Sequence, residues 1–440
     1  MNKLTKIAML MAATALAAGC AEGNRERVKA IDLSYLDTTV SPAVDFYRHA
    51  TGGWQKNNPL KPEYARFGSF DYLNENNEKR INDLFKSMTE MKAAKGSVEQ
   101  KISDIYKMGL DSLKLNEEGF TPVKKYLHQI LVAESKDELV KVIADLHDSG
   151  ESSFFGTFVM SDLMDSESQI LYIGQGGLGI GDRDYYTEAE NAEIKKGYEK
   201  FLTRVFELAG IPIPETAAAN ALAVEDVLAI NSWTSVQERD MEKLYNPMST
   251  EEIEAKYPGF DFKAYFAARN IPDQKKINVN EPSFFEAFSN YFAEADLNML
   301  KNYMAGQLIQ GACGALSDDF YDASFDFFNR QMSGVTEQKP RWKRAMSVPN
   351  SILGEAVGKM YVEKYFPQSS KKKMVELVAN LQTALGEHID ALDWMSDSTK
   401  VKAHEKLDNF TVKVGYPDKW KDYSTLNIDP ALPYYENLRE

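Results

Sequence analysis

Asp45-Phe-Tyr-Arg-His-Ala-Thr-Gly-Gly-Trp-Gln-Lys-Asn-Asn-Pro59 and, after a short spacer, Tyr64-Ala-Arg-Phe-Gly-Ser-Phe-Asp-Tyr-Leu73 form the stretch whose reading decides the fold. It is too aromatic for a linker. Asp45 to Trp54 predicts a short helix with Phe46, Tyr47 and Ala50 on one face, closed at Gly52-Gly53, where a positive φ is free and a helix can end. Pro59 and Pro62 forbid helix and ladder bonding, so the chain crosses a surface in extended form until Phe67 to Phe70 turns it into the next helix.

Outward from there the period is mostly helical. Leu73 to Met91, Val98 to Leu113, Val123 to Leu131 and a segment opened by Ser135 or Lys136 carry apolar residues three and four apart. Phe154 to Gly174 changes to a strand pattern on either side of the polar Ser161 to Ser168, which predicts a β-hairpin, the one sizeable sheet element. Gly174, Gly176 and Gly179 fit G-x-G-x-x-G, but the run leads into Asp182-Arg-Asp-Tyr-Tyr rather than a helix of a βαβ unit, so a dinucleotide site is disfavoured. Helices resume over Ala189 to Ala209 and Glu215 to Asn231, then over Trp233 to Tyr245, which Asn246-Pro247 ends. Phe284, Phe285, Phe288, Tyr291 and Phe292 sit at helical spacing and read as core. Lys371 to Met395 is the clearest amphipathic helix, and another runs through Leu407. Phe410 to Pro417 then reads as a strand and turn, and Asp429-Pro430 as the start of a last helix through Leu438 that Glu440 cuts without a glycine stop. Pro340 to Arg344 is a small basic cluster, read as pairing with the chain's own carboxylates.

The first stretch resembles the neprilysin and endothelin-converting-enzyme family of zinc metallopeptidases, which carries D-F-(Y/F)-x-(Y/H)-A-x-G-G-W followed by (S/A)-R-(Y/F)-G-x-F-D. The resemblance continues in Gln175 to Leu178 with Tyr185-Tyr186, Tyr245-Asn-Pro-Met248, Arg341-Trp342, Gly358-Lys-Met-Tyr361, Trp394-Met395 with Thr399-Lys400, and Gly415-Tyr-Pro-Asp418. It implies a mainly α fold: a large multi-helix lobe over 31–408 with one small β-hairpin, then the start of a thermolysin-like catalytic domain over 409–440. In that family the lobe encloses a chamber for small peptides. By motif, Arg66, Phe70 and Asp71 would line it, with Arg66 near the C-terminal side of the substrate. Relatives with an Arg three residues after that Asp meet Asn74 here, which puts a second cationic contact in doubt. The bland reading of Arg66 is a solvated surface arginine.

The family's chemistry needs H-E-x-x-H, two imidazoles at i and i+4 holding zinc with a Glu as base. The five histidines, at positions 49, 128, 147, 388 and 404, offer no such pair, and His404-Glu-Lys-Leu-Asp408 ends in Asp. The zinc ligands are therefore expected beyond residue 440, with an early stop rather than a lost site. The implied activity is metalloendopeptidase, and the chain alone is expected to be inactive.

The charge of −15 and pI near 5.0 disfavour nucleic acid as a partner. Residues 1–20 read as an export leader, too short to span a membrane, ending Leu16-Ala-Ala-Gly-Cys20. That resembles a bacterial lipoprotein box with Leu16 one place early, so Cys20 is the lipidation candidate and 21–30 a polar tether. The alternative is an ordinary leader with an incidental cysteine. On the lipoprotein reading the protein is exported, periplasmic or held to the cell envelope, and meets membrane only through that lipid. Cys313 then has no disulfide partner. Ala43, Thr51, Gly109 and Ala345 stand where disulfide-rich relatives place cysteine, and the resemblance implies that Gly109 and Ala345 replace a pair, so their Cα atoms should lie within about 7 Å. A non-enzymatic peptide-binding lipoprotein and a structural interaction module fit the same composition.

Overall fold

A computed structural model describes residues 31–151 and 153–439. The leader, the tether and Cys20 lie outside the described residues. Residues 31–61 and 62–439 belong to two compact units, taken in turn.

In the first, Asp45 caps helix α1 (Phe46–Asn57) by accepting from Arg48 N at 2.8 Å. The helix does not close at Gly52-Gly53; it runs through both. A Cβ on Gly53 would stand 2.3 Å from Ser34 O and 2.8 Å from Leu36 O, and one on Gly52 2.7 Å from Asp37 Cβ. The two glycines permit close approach of the Leu33–Tyr35 turn. They were read as a stop because only the fold reveals what lies against them.

In the second unit α2 (Ser69–Glu90) and α3 (Val98–Leu110) pack on one another, with Phe85 and Tyr106 edge to face at 5.3 Å. The hairpin appears as β1 (Phe155–Asp162) and β2 (Asp165–Gln175), antiparallel with Phe155 opposite Gln175. Two short strands extend it, β3 (Pro247–Met248) and β4 (Ile277–Val279), in the order β1-β2-β4-β3. β4 runs parallel to β2, with Leu171 opposite Ile277. The phenylalanines at helical spacing are core: Phe284, Phe285, Phe288 and Phe292 are buried, and Phe155 meets Phe260, Phe285 and Phe288 at 5.5 to 5.8 Å.

Helices α4 (Ala192–Ala209), α5 (Pro214–Asn231) and α6 (Leu297–Ala312) form the densest part of the core. The alanine face of α5, Ala217, Ala218 and Ala221, lies against this cluster, and Gly306 of α6 lets Leu202 and Phe206 approach. Helix α7 (Arg341–Ile352) packs on α3, and helices α8 (Gln368–Ala391) and α9 (Asp397–Asp408) pair near the C-terminal end. Cys313 is buried, and burial pushes its thiol up to about 12.

Three expectations are corrected. Trp233 to Tyr245 is no helix beyond a turn at Gln237–Arg239, because Gln175 claims its polar groups, accepting from Trp233 N (2.6 Å) and donating to Glu238 Oε1 (2.7 Å). Phe410 to Pro417 forms no strand: the four strands among the described residues pair with one another, and none pairs with this segment to complete a ladder. The last helix is only Tyr434–Asn437, since Pro430 and Pro433 bias the residues before them away from helix. The stripe of α8 is helical as expected but only partly covered by the described residues: Met374, Leu381 and Leu385 are each about half exposed, while Ile389 is buried.

A Cβ built on Gly109 of α3 would stand 3.1 Å from Ala345 Cβ and 3.2 Å from Ala345 Cα, so the two Cα atoms lie well inside the reach of about 7 Å that a disulfide needs. The double variant G109C/A345C should therefore oxidise to an intramolecular disulfide, read as a reducible mobility shift on non-reducing gels, and gain about 2–4 kcal/mol against urea. Tyr434 Oη, 3.2 Å from the same Cβ, has to yield slightly. Failure to oxidise under glutathione, with the fold intact, would show that the two helices do not sit in this register.

Candidate substrate-binding site

The chain from Pro62 to Gly68 is irregular, with a turn at Pro62-Glu63 and a bend at Ala65 in place of the extended crossing its prolines suggest, and Gly68 begins α2 as its N-cap. Arg66 is exposed on this segment, one turn ahead of the helix, and forms no ion pair among the described residues. Phe70 is 85% exposed, a large apolar ring held in water at the first turn. Asp71 points back along the helix, and its Oδ2 accepts from Gly68 N at 2.8 Å. A glycine N-cap has no side chain to return that bond, so Asp71 alone satisfies the terminal donor and its charge opposes the helix macrodipole. The structure thus brings Arg66, Phe70 and Asp71 to one helix end, with Asp71 already occupied by a structural bond.

One to two turns further, the same helix forms a wall of a cavity of about 540 Å³ with Asn74, Asn77 and Glu78. The opposite wall is the start of α7 with Lys339 before it, and the floor holds Gly109, Ala345 and Tyr434. None of the three motif residues lines it. Asn74 does, donating to Glu78 Oε1 at 3.2 Å.

Sequence reasoning missed the buried knot beside the cavity. Lys343 Nζ donates to Tyr64 Oη (3.0 Å) and lies 3.3 Å from Glu78 Oε2 and 3.6 Å from Glu75 Oε1; Tyr64 in turn donates to Glu75 (2.9 Å). Burial pulls the Lys343 ammonium down, but Tyr64 and Glu78 outweigh it and hold the group above its ordinary value. Glu75 and Glu78, three apart on one face of α2, were the visible half of the signal. Their partner is far off in the chain, where no local pattern points to it.

The glycine run is engaged by the protein itself. Gln175 N donates to Glu281 Oε2 (2.7 Å), Gly179 N to Glu225 Oε2 (3.0 Å) and Ile180 N to Tyr186 Oη (3.0 Å), so these amides are not available to cradle phosphate.

The described residues do not fit a zinc site. No group of three or more His, Cys, Asp or Glu among them is placed to hold a metal. His147 is buried with both nitrogens used: the carbonyl of Ser153 can only accept, so Nε2 carries the proton (2.8 Å), and Nδ1 faces Tyr265 Oη (2.7 Å). Burial lowers its pKa to about 4, which keeps the ring neutral. His49 Nδ1 is bonded to Val40 O (2.8 Å) and His404 Nε2 to Asp390 (2.8 Å). Nor is any helix among the described residues long and apolar enough to cross a membrane.

The sequence profile of peptidase family M13, in its N-terminal part, matches residues 42–417. The chain belongs to peptidase family M13. It is 28% identical over 428 residues to endothelin-converting enzyme 1 of Bos taurus, which covers 92% of this chain and 56% of that protein. It is 24% identical over 439 residues to membrane metallo-endopeptidase-like 1 of Mus musculus, covering 92% and 57%. Among solved structures, the zinc metalloprotease Zmp1 of Mycobacterium tuberculosis in complex with an inhibitor superposes with a TM-score of 0.88 at 30% identity, covering 93% of this chain and 62% of that one. PepO from Lactobacillus rhamnosis shares the fold, with a TM-score of 0.80 at 19% identity, 90% of this chain and 63% of that one being covered. The chain thus spans little more than half the length of the curated relatives it matches, and its mainly helical architecture with one small sheet is that of the family.

Asp71→Ala removes the bond to Gly68 N and should cost about 0.5–2 kcal/mol of stability in urea unfolding. Arg66→Met, with no ion pair to lose, should change stability by less than about 0.5 kcal/mol. A stability loss for Arg66→Met equal to that of Asp71→Ala would identify Arg66 as a fold residue.

Proposed function

We propose that this chain is the substrate-enclosing N-terminal region of a zinc metalloendopeptidase that hydrolyses small peptides, and that as it stands it is inactive. The observation that carries this reading is the M13 match over residues 42–417, in a chain whose described residues do not fit a zinc site. In this reading the metal is held by residues other than those described, and residues 31–408 supply recognition while 409–440 begin the catalytic domain. The partly exposed apolar stripe of α8 supports it, since Met374, Leu381 and Leu385 present the kind of surface that packs against further protein. Arg66, Phe70 and Asp71 are the proposed substrate contacts. Arg66 receives the substrate's terminal carboxylate, Phe70 offers an exposed ring to an adjacent side chain, and Asp71 fixes the helix end that presents both. Export behind the leader, with lipid on Cys20, completes the proposal.

The 440-residue chain should hold no stoichiometric zinc after dialysis and leave a quenched peptide uncut. One tightly held zinc per chain with chelator-sensitive cleavage would overturn the reading.

For Arg66 the test needs a longer form of the protein that cleaves peptides. A guanidinium gripping a carboxylate away from water contributes about 1.5–3 kcal/mol, so Arg66→Met should weaken affinity about 10- to 150-fold. The loss should be confined to peptides whose free C-terminus lies close to the scissile bond. Equal losses on the matched amides would withdraw Arg66 from the substrate site.

A further inference from the structure

The cavity beside α2 carries a charge imbalance that the peptidase reading does not use. Lys339, Arg341, Lys343 and Arg344 all line it, and the one acid in its lining is Glu78. Two of the four cations are matched. Arg341 donates from Nε to Gly109 O (2.9 Å) and pairs with Asp318 (3.3 Å), and Lys343 sits in the knot of Tyr64, Glu75 and Glu78.

Arg344 and Lys339 are not. The guanidinium carbon of Arg344 lies 4.1 Å from the centre of the Tyr321 ring, its Nε is buried without a hydrogen-bond acceptor, and no carboxylate among the described residues stands within ion-pair distance. Lys339 Nζ lies 5.6 Å from the Tyr64 ring and forms no ion pair among the described residues. Burial first, and then the charge of Arg344, holds Arg341 below its ordinary value, a sign of crowding of like charge.

A buried guanidinium N–H with no acceptor leaves its desolvation uncompensated, and an acceptor in the cavity that meets the outer N–H groups of Arg344 offsets that cost in part. The space for that ligand exists: about 540 Å³ falls in the range of small-molecule sites, and the floor at Gly109 and Ala345 has almost no side chain to fill it. Tyr321 holds the guanidinium plane, which leaves its fork to meet a planar, two-oxygen acceptor, the shape of a carboxylate.

We infer that this cavity is a carboxylate-binding subsite separate from Arg66, in which Arg344, assisted by Lys339, receives the carboxylate of an acidic peptide. The choice of a peptide as ligand rests on the peptidase reading; the preference for a carboxylate does not.

The carboxylate could be a side chain or a chain end, and calorimetric titration of the 440-residue chain separates them. The probes are acetyl-Ala-Glu-Ala amide, acetyl-Ala-Ala-Ala as the free acid, acetyl-Ala-Gln-Ala amide and inorganic phosphate. One or both carboxylate peptides should bind at least tenfold more tightly than the glutamine amide and than phosphate, and Arg344→Met should remove that advantage. Arg344→Lys, which keeps the charge without the fork, should recover only part of it. Should Arg344→Met fail to show a cooperative melt, Lys339→Met decides, with an expected loss of severalfold. Arg66→Met should leave binding of the glutamate amide, which presents no free C-terminus, unchanged. Glutamate-amide binding that falls with Arg66→Met and not with Arg344→Met overturns the subsite while leaving the peptidase reading intact. A subsite that depends on Arg344 stands even if Arg66 proves irrelevant to cleavage. Equal binding of the glutamine amide, or phosphate binding as tightly as the peptides, overturns the carboxylate assignment.

Discussion

The core depends on one buried carboxyl group. Glu225, on α5 and 1% exposed, ties the loop leaving β2 to three helices: it accepts from Gly179 N (3.0 Å) and Gln307 Nε2 (2.8 Å), and from Tyr186, with Tyr198 Oη 2.9 Å away. Tyr198 donates to Glu225, its Oη also lies 3.0 Å from Gln310 Oε1, and Gln310 donates from Nε2 to Gly179 O (2.7 Å). Burial pushes the Glu225 pKa up to about 7, against the donors from Tyr186, Gly179, Tyr198 and Gln307 that favour the carboxylate. The glycines make room for the phenols of this network. A Cβ on Gly179 would stand 1.8 Å from Tyr198 Oη, and one on Gly177 2.3 Å from Tyr303 Oη.

That explains which parts of the fold were legible. Where one face of a helix meets the core, the periodicity is local and readable, as in Phe284 to Phe292. Where a tertiary bond decides, it is not. Gly52-Gly53 looks like a terminator until the Leu33–Tyr35 turn is seen against it, and Trp233 to Tyr245 looks helical until Gln175 is seen accepting from Trp233 N and donating to Glu238. The glycine run resembles a phosphate cradle because composition carries no record of Glu225 and Glu281 filling it. Phe410 to Pro417 has strand composition, but a strand exists only by pairing.

The site divides in the same way. Arg66, Phe70 and Asp71 were found through a contiguous motif, and the structure adds that Asp71 serves the helix first. The cavity has no motif, since its walls come from Asn74 to Glu78 and from Lys339 to Arg344. The sequence showed a basic cluster and assigned it to internal pairing. The structure pairs Arg341 and Lys343 and leaves Arg344 and Lys339 without a carboxylate among the described residues.

Helix ends show why that remainder is informative. The N-terminus of a helix carries partial positive charge, and acids there each contribute about 0.3–1 kcal/mol. Several helices of this protein follow the rule: Asp137 and Glu138 open one, Glu251 and Glu252 another, and Asp71 opens α2. The first turn of α7 has no acid and instead carries Arg341, Lys343 and Arg344. Cations there add to the field of the helix end instead of cancelling it, and Lys339 adds to it from just outside. Buried pairing offsets Lys343 and hydrogen bonding offsets Arg341, but Arg344 meets only the Tyr321 ring, and no carboxylate among the described residues neutralises its charge beside the open volume. An acid at that helix end would add to stability, and the uncompensated cation there instead attracts an anion.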